Sequence, residues 1–154
     1  MTVAVGAPVP DFSAPSTAGE FRLSDARGSP LLIYFYPKDN TSGCTTESQN
    51  FASEYRQFAK HRAQIIGVSR DSIKSHLGFK QKLDLPFELL SDPDEHLCTM
   101  FGVIKNKTMY GRPVRGIERS TFLLDAKGVL RHEWRGVKVA GHVEQTLVAV
   151  RSLG

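Results

Sequence analysis

The sequence predicts an α/β fold: a central mixed sheet flanked by helices, with an N-terminal extension of short strands. Two short apolar runs, Leu31 to Tyr36 and Ile65 to Val68, have the length and continuity of strands buried on both faces. Each is followed by a stretch with helical spacing or a helix-capping pair. A hairpin pattern and a last helical segment then close the chain. Strands that alternate with helices and end in a hairpin build a mixed sheet with helices on both faces.

In order along the chain, Gly6 to Gly28 is rich in turn residues and reads as loop and short strands. Leu31 to Tyr36 is the first buried strand, closed by Pro37, which has no N–H to continue a ladder. Thr45 to His61 reads as a helix, because Phe51, Tyr55 and Phe58 recur at four and three residues. Gln64 to Ser69 is the second buried strand, and Asp71 and Ser72 can cap a helix running to about Lys82. Ser91-Asp92-Pro93 predicts a helix start, with Leu97, Cys98 and Phe101 on that helix. Ser120 to Leu124 and Val129 to Trp134 form a hairpin around Asp125-Ala126-Lys127-Gly128, and Gly141 to Leu153 is a final helix.

The 154 residues predict one domain, 1–154, on a prior of about 150 residues per domain. No repeat, linker or shift in composition divides the chain. No run approaches the roughly 18 apolar residues of a membrane span, and Met1 to Pro10 lacks the basic start and apolar stretch of a signal peptide. Lys and Arg number 20 against 16 Asp and Glu, a net charge of +4, and they are scattered among acids. That pattern gives a slightly positive surface and no nucleic-acid footprint. Two cysteines, Cys44 and Cys98, are too few for a disulfide scaffold and predict thiols in a reducing cytoplasm. The five histidines include no pair at i, i+4 spacing, and there is no Cys-x-x-Cys and no phosphate-binding Gly-rich loop, so neither a metal nor a cofactor is expected.

In folds of this kind ligands gather at the carboxyl ends of the strands. The place to look is therefore the junction Pro37-Lys38-Asp39-Asn40-Thr41-Ser42-Gly43-Cys44-Thr45-Thr46-Glu47. Cys44 falls there in the first helical turn, where backbone N–H groups lack helical partners and the helix dipole is positive. Both effects favour a thiolate, the reactive form of cysteine. Taken alone, such a cysteine is as readily a small buried packing residue.

The same junction resembles the peroxiredoxin motif Pro-x-x-x-Thr-x-x-Cys, met by Pro37, Thr41 and Cys44. Tyr34 to Glu47 is more closely similar to the Q-type, or bacterioferritin comigratory protein, branch. The likeness extends through Ala7-Pro8-Val9-Pro10-Asp11-Phe12, Gly67-Val68-Ser69-Arg70-Asp71, Ser91-Asp92-Pro93-Asp94 and Met109-Tyr110-Gly111. It continues in Gly116-Ile117-Glu118-Arg119-Ser120-Thr121-Phe122 and Val137-Lys138-Val139-Ala140-Gly141-His142. The resemblance implies a thioredoxin-like fold and reduction of hydrogen peroxide and organic hydroperoxides through a cysteine sulfenic acid. It makes Cys44 the peroxidatic cysteine, has Thr41 hydrogen-bond the peroxide, has Pro37 shield the site and has Arg119 supply positive charge. It implies a monomer. Locally, Thr41 also suits a turn, Pro37 a strand end and Arg119 a surface ion pair. Glu47, three residues past Cys44, shares its helix face and suits a supporting role, orienting Arg119 by a bidentate pair.

Two-cysteine members of this branch carry a resolving cysteine five or thirty-six residues after the first; Gln49 and Lys80 stand there. Cys98 remains as a candidate resolving cysteine, but its neighbours Leu97, Met100 and Phe101 make an apolar setting in which a thiol is inert. A one-cysteine scheme, with a small thiol, glutaredoxin or thioredoxin as reductant, is the preferred expectation. Three other classes fit less well. A thioredoxin-like reductase needs a second cysteine where Glu47 stands, and a glutathione-peroxidase-like site needs a Gln and a Trp, whereas Trp134 lies far along the chain. A non-catalytic interaction module would have no use for Thr41, Cys44 and Arg119 together.

Overall fold

The computed structural model describes residues 2–153. A seven-stranded sheet runs in the order β2 (Gly19–Arg22), β1 (Ser13–Ser16), β5 (Glu88–Ser91), β4 (Gln64–Ser69), β3 (Leu31–Phe35), β8 (Ser120–Leu124), β9 (Leu130–Arg135). Inside it lies the first apolar run, β3, which pairs parallel with the middle strand β4 and antiparallel with β8. On the β4 side lie β5, then β1 and β2; on the other side β9 closes the sheet. The expected mixed sheet with a short-stranded N-terminal extension is what forms.

Alternation along β3 builds two cores. Leu32, Tyr34 and Tyr36 face one side, with Phe51, Phe58, Phe79, Val143 and Leu147. Leu31, Ile33 and Phe35 face the other, with Phe12, Leu97, Cys98, Phe101 and Phe122. Each fully buried side chain of this size is worth about 1.5–3 kcal/mol, so an apolar run of this kind is stable only as an interior strand. The first core is covered by α1 (Ser42–Ser53), α2 (Tyr55–Lys60), α3 (Ile73–Leu83) and α5 (His142–Ser152). The second is covered by α4 (His96–Met100), the 3-10 turn Leu23–Ala26 and the N-terminal segment.

Two expectations are corrected and one element is added. The helix read over Thr45 to His61 begins at Ser42 and breaks at Glu54 into α1 and α2. The Thr46 hydroxyl donates to the Ser42 carbonyl and the Ser53 hydroxyl to the Asn50 carbonyl, the backbone competition that bends helices. The helix expected at Ser91-Asp92-Pro93 begins only at His96, because Glu95 is left-handed with φ 61°. Asp92 caps it from outside, its carboxylate accepting from the backbone N–H groups of Leu97 (3.1 Å) and Cys98 (2.8 Å). Finally, a hairpin of β6 (Ile104–Met109) and β7 (Arg112–Ile117) stands apart from the main sheet and was not expected. Its polar strands carry no alternation; its signal is the turn at Tyr110 and Gly111, both at positive φ.

Candidate active site

The loop between β3 and α1 is set by its backbone. Tyr36 donates its N–H to the Val68 carbonyl at 3.0 Å, and Pro37 ends the ladder. Thr41 is the N-terminal cap of α1 by backbone only; its hydroxyl turns away and donates to the Lys38 carbonyl at 2.8 Å. The first intrahelical bond of α1 runs from Thr45 to Thr41. Cys44 therefore lies inside the first turn, as expected from the sequence, among N–H groups without helical partners. On its buried side α1 is held by stacking of Phe51 on Tyr34 and by a 2.8 Å bond between the Tyr34 and Ser48 hydroxyls.

Cys44 is 1% exposed. Its Sγ accepts from Arg119 Nη2 at 3.4 Å, although the two residues are 75 apart in sequence. Arg119 sits in the two-residue step from β7 to β8, its carbonyl fixed by the Val137 N–H at 2.9 Å. Its other terminal nitrogen, Nη1, donates to Glu47 Oε1 at 2.6 Å. The pair is single rather than bidentate: Glu47 is fully buried, and its Oε2 has no hydrogen-bond partner among the described residues. Burial pushes the Glu47 carboxyl up to about 7, more than the Arg119 guanidinium draws it down. A permanent cation is thus held between a buried carboxyl and a buried sulfur, positioned to meet negative charge on either.

Two residues that the sequence did not single out complete this arrangement. A Cβ at Gly43 would lie 3.1 Å from Arg119 Nη2, so the absence of a side chain there lets the guanidinium reach the sulfur. His142, at the start of α5, lies 2.8 Å from the Thr121 hydroxyl and packs edge-on against Phe51 and Trp134. Burial and then the charge of Arg119 lower its ring to about 4, so it sits beside the cation uncharged at neutral pH. No local pattern marks either residue, since what each touches arrives from another part of the chain.

The remaining predicted residues are placed as follows. Pro37 is half-buried and Thr41 exposed at the surface of the loop. Cys98 is fully buried in the core on the far side of the sheet from Cys44. Burial, then the Asp92 carboxylate, raise its thiol far above the ordinary range. A cavity of about 570 Å³ is lined by Gly28, Pro30, His61, Asp125 and others at the opposite end of β3, away from this cluster. Among the described residues no helix is long and apolar enough to cross a membrane.

Comparison with known proteins agrees with this geometry. Residues 5–133 match the model of the AhpC/TSA family. The chain is 46% identical over 154 residues to the peroxiredoxin Bcp of Bacillus subtilis, covering 99% of this chain and 98% of that one. It is 54% identical over 125 residues to the peroxiredoxin Bcp of Xanthomonas campestris, covering 81% and 78%. A solved structure of the Xanthomonas campestris bacterioferritin comigratory protein, described for its alkyl peroxide reduction activity, superposes with a TM-score of 0.90 at 46% identity, over 97% of this chain and 98% of that one. The chain belongs to the AhpC/TSA family. It has the thioredoxin-like peroxiredoxin fold and is a thiol-dependent peroxidase, with the bacterial Bcp and peroxiredoxin Q proteins as its relatives.

Proposed function

We propose that this protein reduces hydrogen peroxide and organic hydroperoxides at Cys44 by a one-cysteine cycle completed by an external thiol. The observation that carries the reading is the chain Glu47–Arg119–Cys44, at 2.6 and 3.4 Å. The Cys44 thiolate attacks the terminal peroxide oxygen; an S–O bond forms, the O–O bond breaks, and sulfur is oxidised by two electrons to the sulfenic acid. The alkoxide or hydroxide leaves, takes up a proton and departs as alcohol or water. Arg119 faces the negative charge as it passes from sulfur to the leaving oxygen. Thr41 has spent its hydroxyl proton on the Lys38 carbonyl, so its oxygen offers lone pairs to the peroxide O–H. Pro37 shields the sulfur from bulk water, and Glu47 holds Arg119 in place. A reducing thiol then displaces water from the sulfenic acid to give a mixed disulfide, and a second thiol releases Cys44.

The far side of the sheet supports an external reductant over Cys98: the two thiols lie in different cores, so a Cys44–Cys98 bond would require local unfolding of the helices that carry them. Of the two positions where relatives of this branch keep a resolving cysteine, Gln49 is exposed and Lys80 pairs with both carboxylate oxygens of Glu88, at 2.8 and 3.0 Å. The reading further takes 1–154 as one domain, since strands from Ser13 to Arg135 share one sheet. It takes the protein as a cytoplasmic monomer served by thioredoxin, glutaredoxin or a small thiol. The alkyl peroxide reduction described for the Xanthomonas relative supports the substrate class.

Intact mass after one equivalent of peroxide tests the scheme. The expected product gains one oxygen, and Cys44→Ser neither gains it nor consumes peroxide. A loss of two hydrogens means a Cys44–Cys98 disulfide and overturns the one-cysteine cycle. Full activity in Cys44→Ser overturns the assignment of Cys44.

A further inference from the structure

Beneath the catalytic loop lies a buried polar cluster that the chemistry above leaves unused. Asp39 and His76 are 1% and 0% exposed, and His76 Nδ1 lies 2.8 Å from Asp39 Oδ2. Ser75 donates to the same oxygen at 2.8 Å, and the Tyr36 hydroxyl to Oδ1 at 2.7 Å. The Asp39 N–H donates to Asp71 Oδ2 at 2.9 Å, and Asp71 in turn accepts from Ser69. On its other edge His76 Nε2 donates to the Leu90 carbonyl at 2.8 Å. Asp39, Asp71 and His76 are close enough to hold a metal ion, but their facing atoms are already committed to these bonds and form a closed clasp.

The clasp has a direction. A carbonyl only accepts, so His76 Nε2 carries a proton. Burial raises the Asp39 carboxyl, but the bonds from His76, Tyr36 and Ser75 outweigh it and hold it below the usual carboxylate range. The His76 ring, carried on α3 and tied to β5 through the Leu90 carbonyl, thus holds the one carboxylate of the catalytic loop through Nδ1. Asp39 immediately follows Lys38, whose carbonyl receives the Thr41 hydroxyl at 2.8 Å. Asn40, between Asp39 and Thr41, takes φ 64°, the left-handed turn conformation that asparagine tolerates.

We propose that His76 is a positioning residue for peroxide: through Asp39 it fixes the Lys38 carbonyl and so aims the Thr41 hydroxyl oxygen at the incoming substrate. The inference rests on the role given to Thr41 above. It sets His76 apart from the residues that tune the sulfur, because Arg119 and Glu47 reach Cys44 without passing through the clasp.

Two rates on the same sulfur test it: the second-order reaction of Cys44 with peroxide, and its alkylation by iodoacetamide, which needs no oriented hydroxyl. Misplacement by an ångström costs up to about 100-fold in rate, so His76→Leu is expected to slow the peroxide reaction by at least about 10-fold and to change alkylation by less than about 3-fold. His76→Asn, whose amide can still donate to Asp39, is expected to stay within about 3-fold of the native peroxide rate. An unchanged peroxide rate in His76→Leu, an equal fall in both rates, or a His76→Asn protein as slow as His76→Leu overturns the proposal. Should His76→Leu not fold, Ser75→Ala removes one donor from Asp39. It is expected to slow the peroxide reaction by about 3-fold with alkylation unchanged, and no slowing overturns the proposal. Thr41→Val separates the two readings. If it leaves the peroxide reaction untouched, the Thr41 role fails and the inference with it. If it slows that reaction while His76→Leu does not, only the inference fails.

Discussion

At the scale of single residues, the site depends on close approaches. Gly43 leaves 3.1 Å between the position of a Cβ and Arg119 Nη2. Gly43→Ala must push the guanidinium off the sulfur, since the helix backbone of α1 cannot yield. Loss of one preorganised donor costs about 100- to 1,000-fold where it is complete. A displacement of tenths of an ångström is expected to cost about 10-fold in the peroxide rate of Cys44, read by stopped flow, and a native rate would show that Arg119 does not act there. Glu47 and His142 give the site opposing pH responses. The Glu47 carboxyl rises from 4.5 to about 7, so the folded state holds a proton that the unfolded chain has lost, and its stabilising share is lost as pH climbs from 4.5 to 7. The ring of His142 falls from 6.5 to about 4, so its share is lost as pH drops through that window. In Glu47→Gln only the second response remains. The unfolding free energy of the native protein minus that of the variant is expected to fall between pH 4.5 and 7 and to stay level above 7, as measured by urea titration at each pH. A difference that is constant or rises across the window contradicts a buried, proton-holding Glu47.

At the scale of elements, the loop is only as well placed as the strand and helix it joins. Tyr34, in the middle of β3, stacks on Phe51 of α1 and lies over Gly67 of β4. A Cβ at Gly67 would stand 2.8 Å from both the Tyr34 ring and Leu89. Gly67→Ala is therefore an overpacking change, expected to cost about 1–3 kcal/mol, seen as a lower urea midpoint at unchanged slope. A midpoint at or above the native one would mean that Tyr34 moves freely, and with it the floor of α1. The elements also show where local reading stopped. Short apolar runs announced β3 and β4, because burial on both faces leaves a pattern in the residues themselves. The hairpin β6–β7 left no such pattern, since Lys105, Lys107, Arg112 and Arg115 face water. The start of α4 was misread because Asp92 caps it across a left-handed Glu95, a geometry that Ser-Asp-Pro does not specify.

At the scale of the whole molecule, the sheet separates the two thiols. Cys44 belongs to the core beneath α1 and α5, Cys98 to the core beneath α4, with β3 between them. Cys98→Ser is accordingly expected to keep the native turnover with an added thiol and the same one-oxygen product by mass. A turnover that collapses, or a two-hydrogen loss in the native protein that vanishes in Cys98→Ser, would show that both helices unfold locally and let Cys98 resolve Cys44.

The sequence by itself determined the class of fold, the position of Cys44 in a first helical turn, Glu47 by its spacing from Cys44 and, through its resemblance, the candidates Thr41, Pro37 and Arg119. These follow from neighbours in the chain: an apolar run, a proline, a helix start, a motif of eight residues. Only the tertiary structure decided that Arg119 reaches Cys44 beside Gly43, that Glu47 holds it through one oxygen, that His76 grips Asp39, and that Cys98 faces the other way. Each of these joins residues tens of positions apart, or depends on which face of a strand a side chain takes. Such relations are set by packing, and local patterning does not carry them.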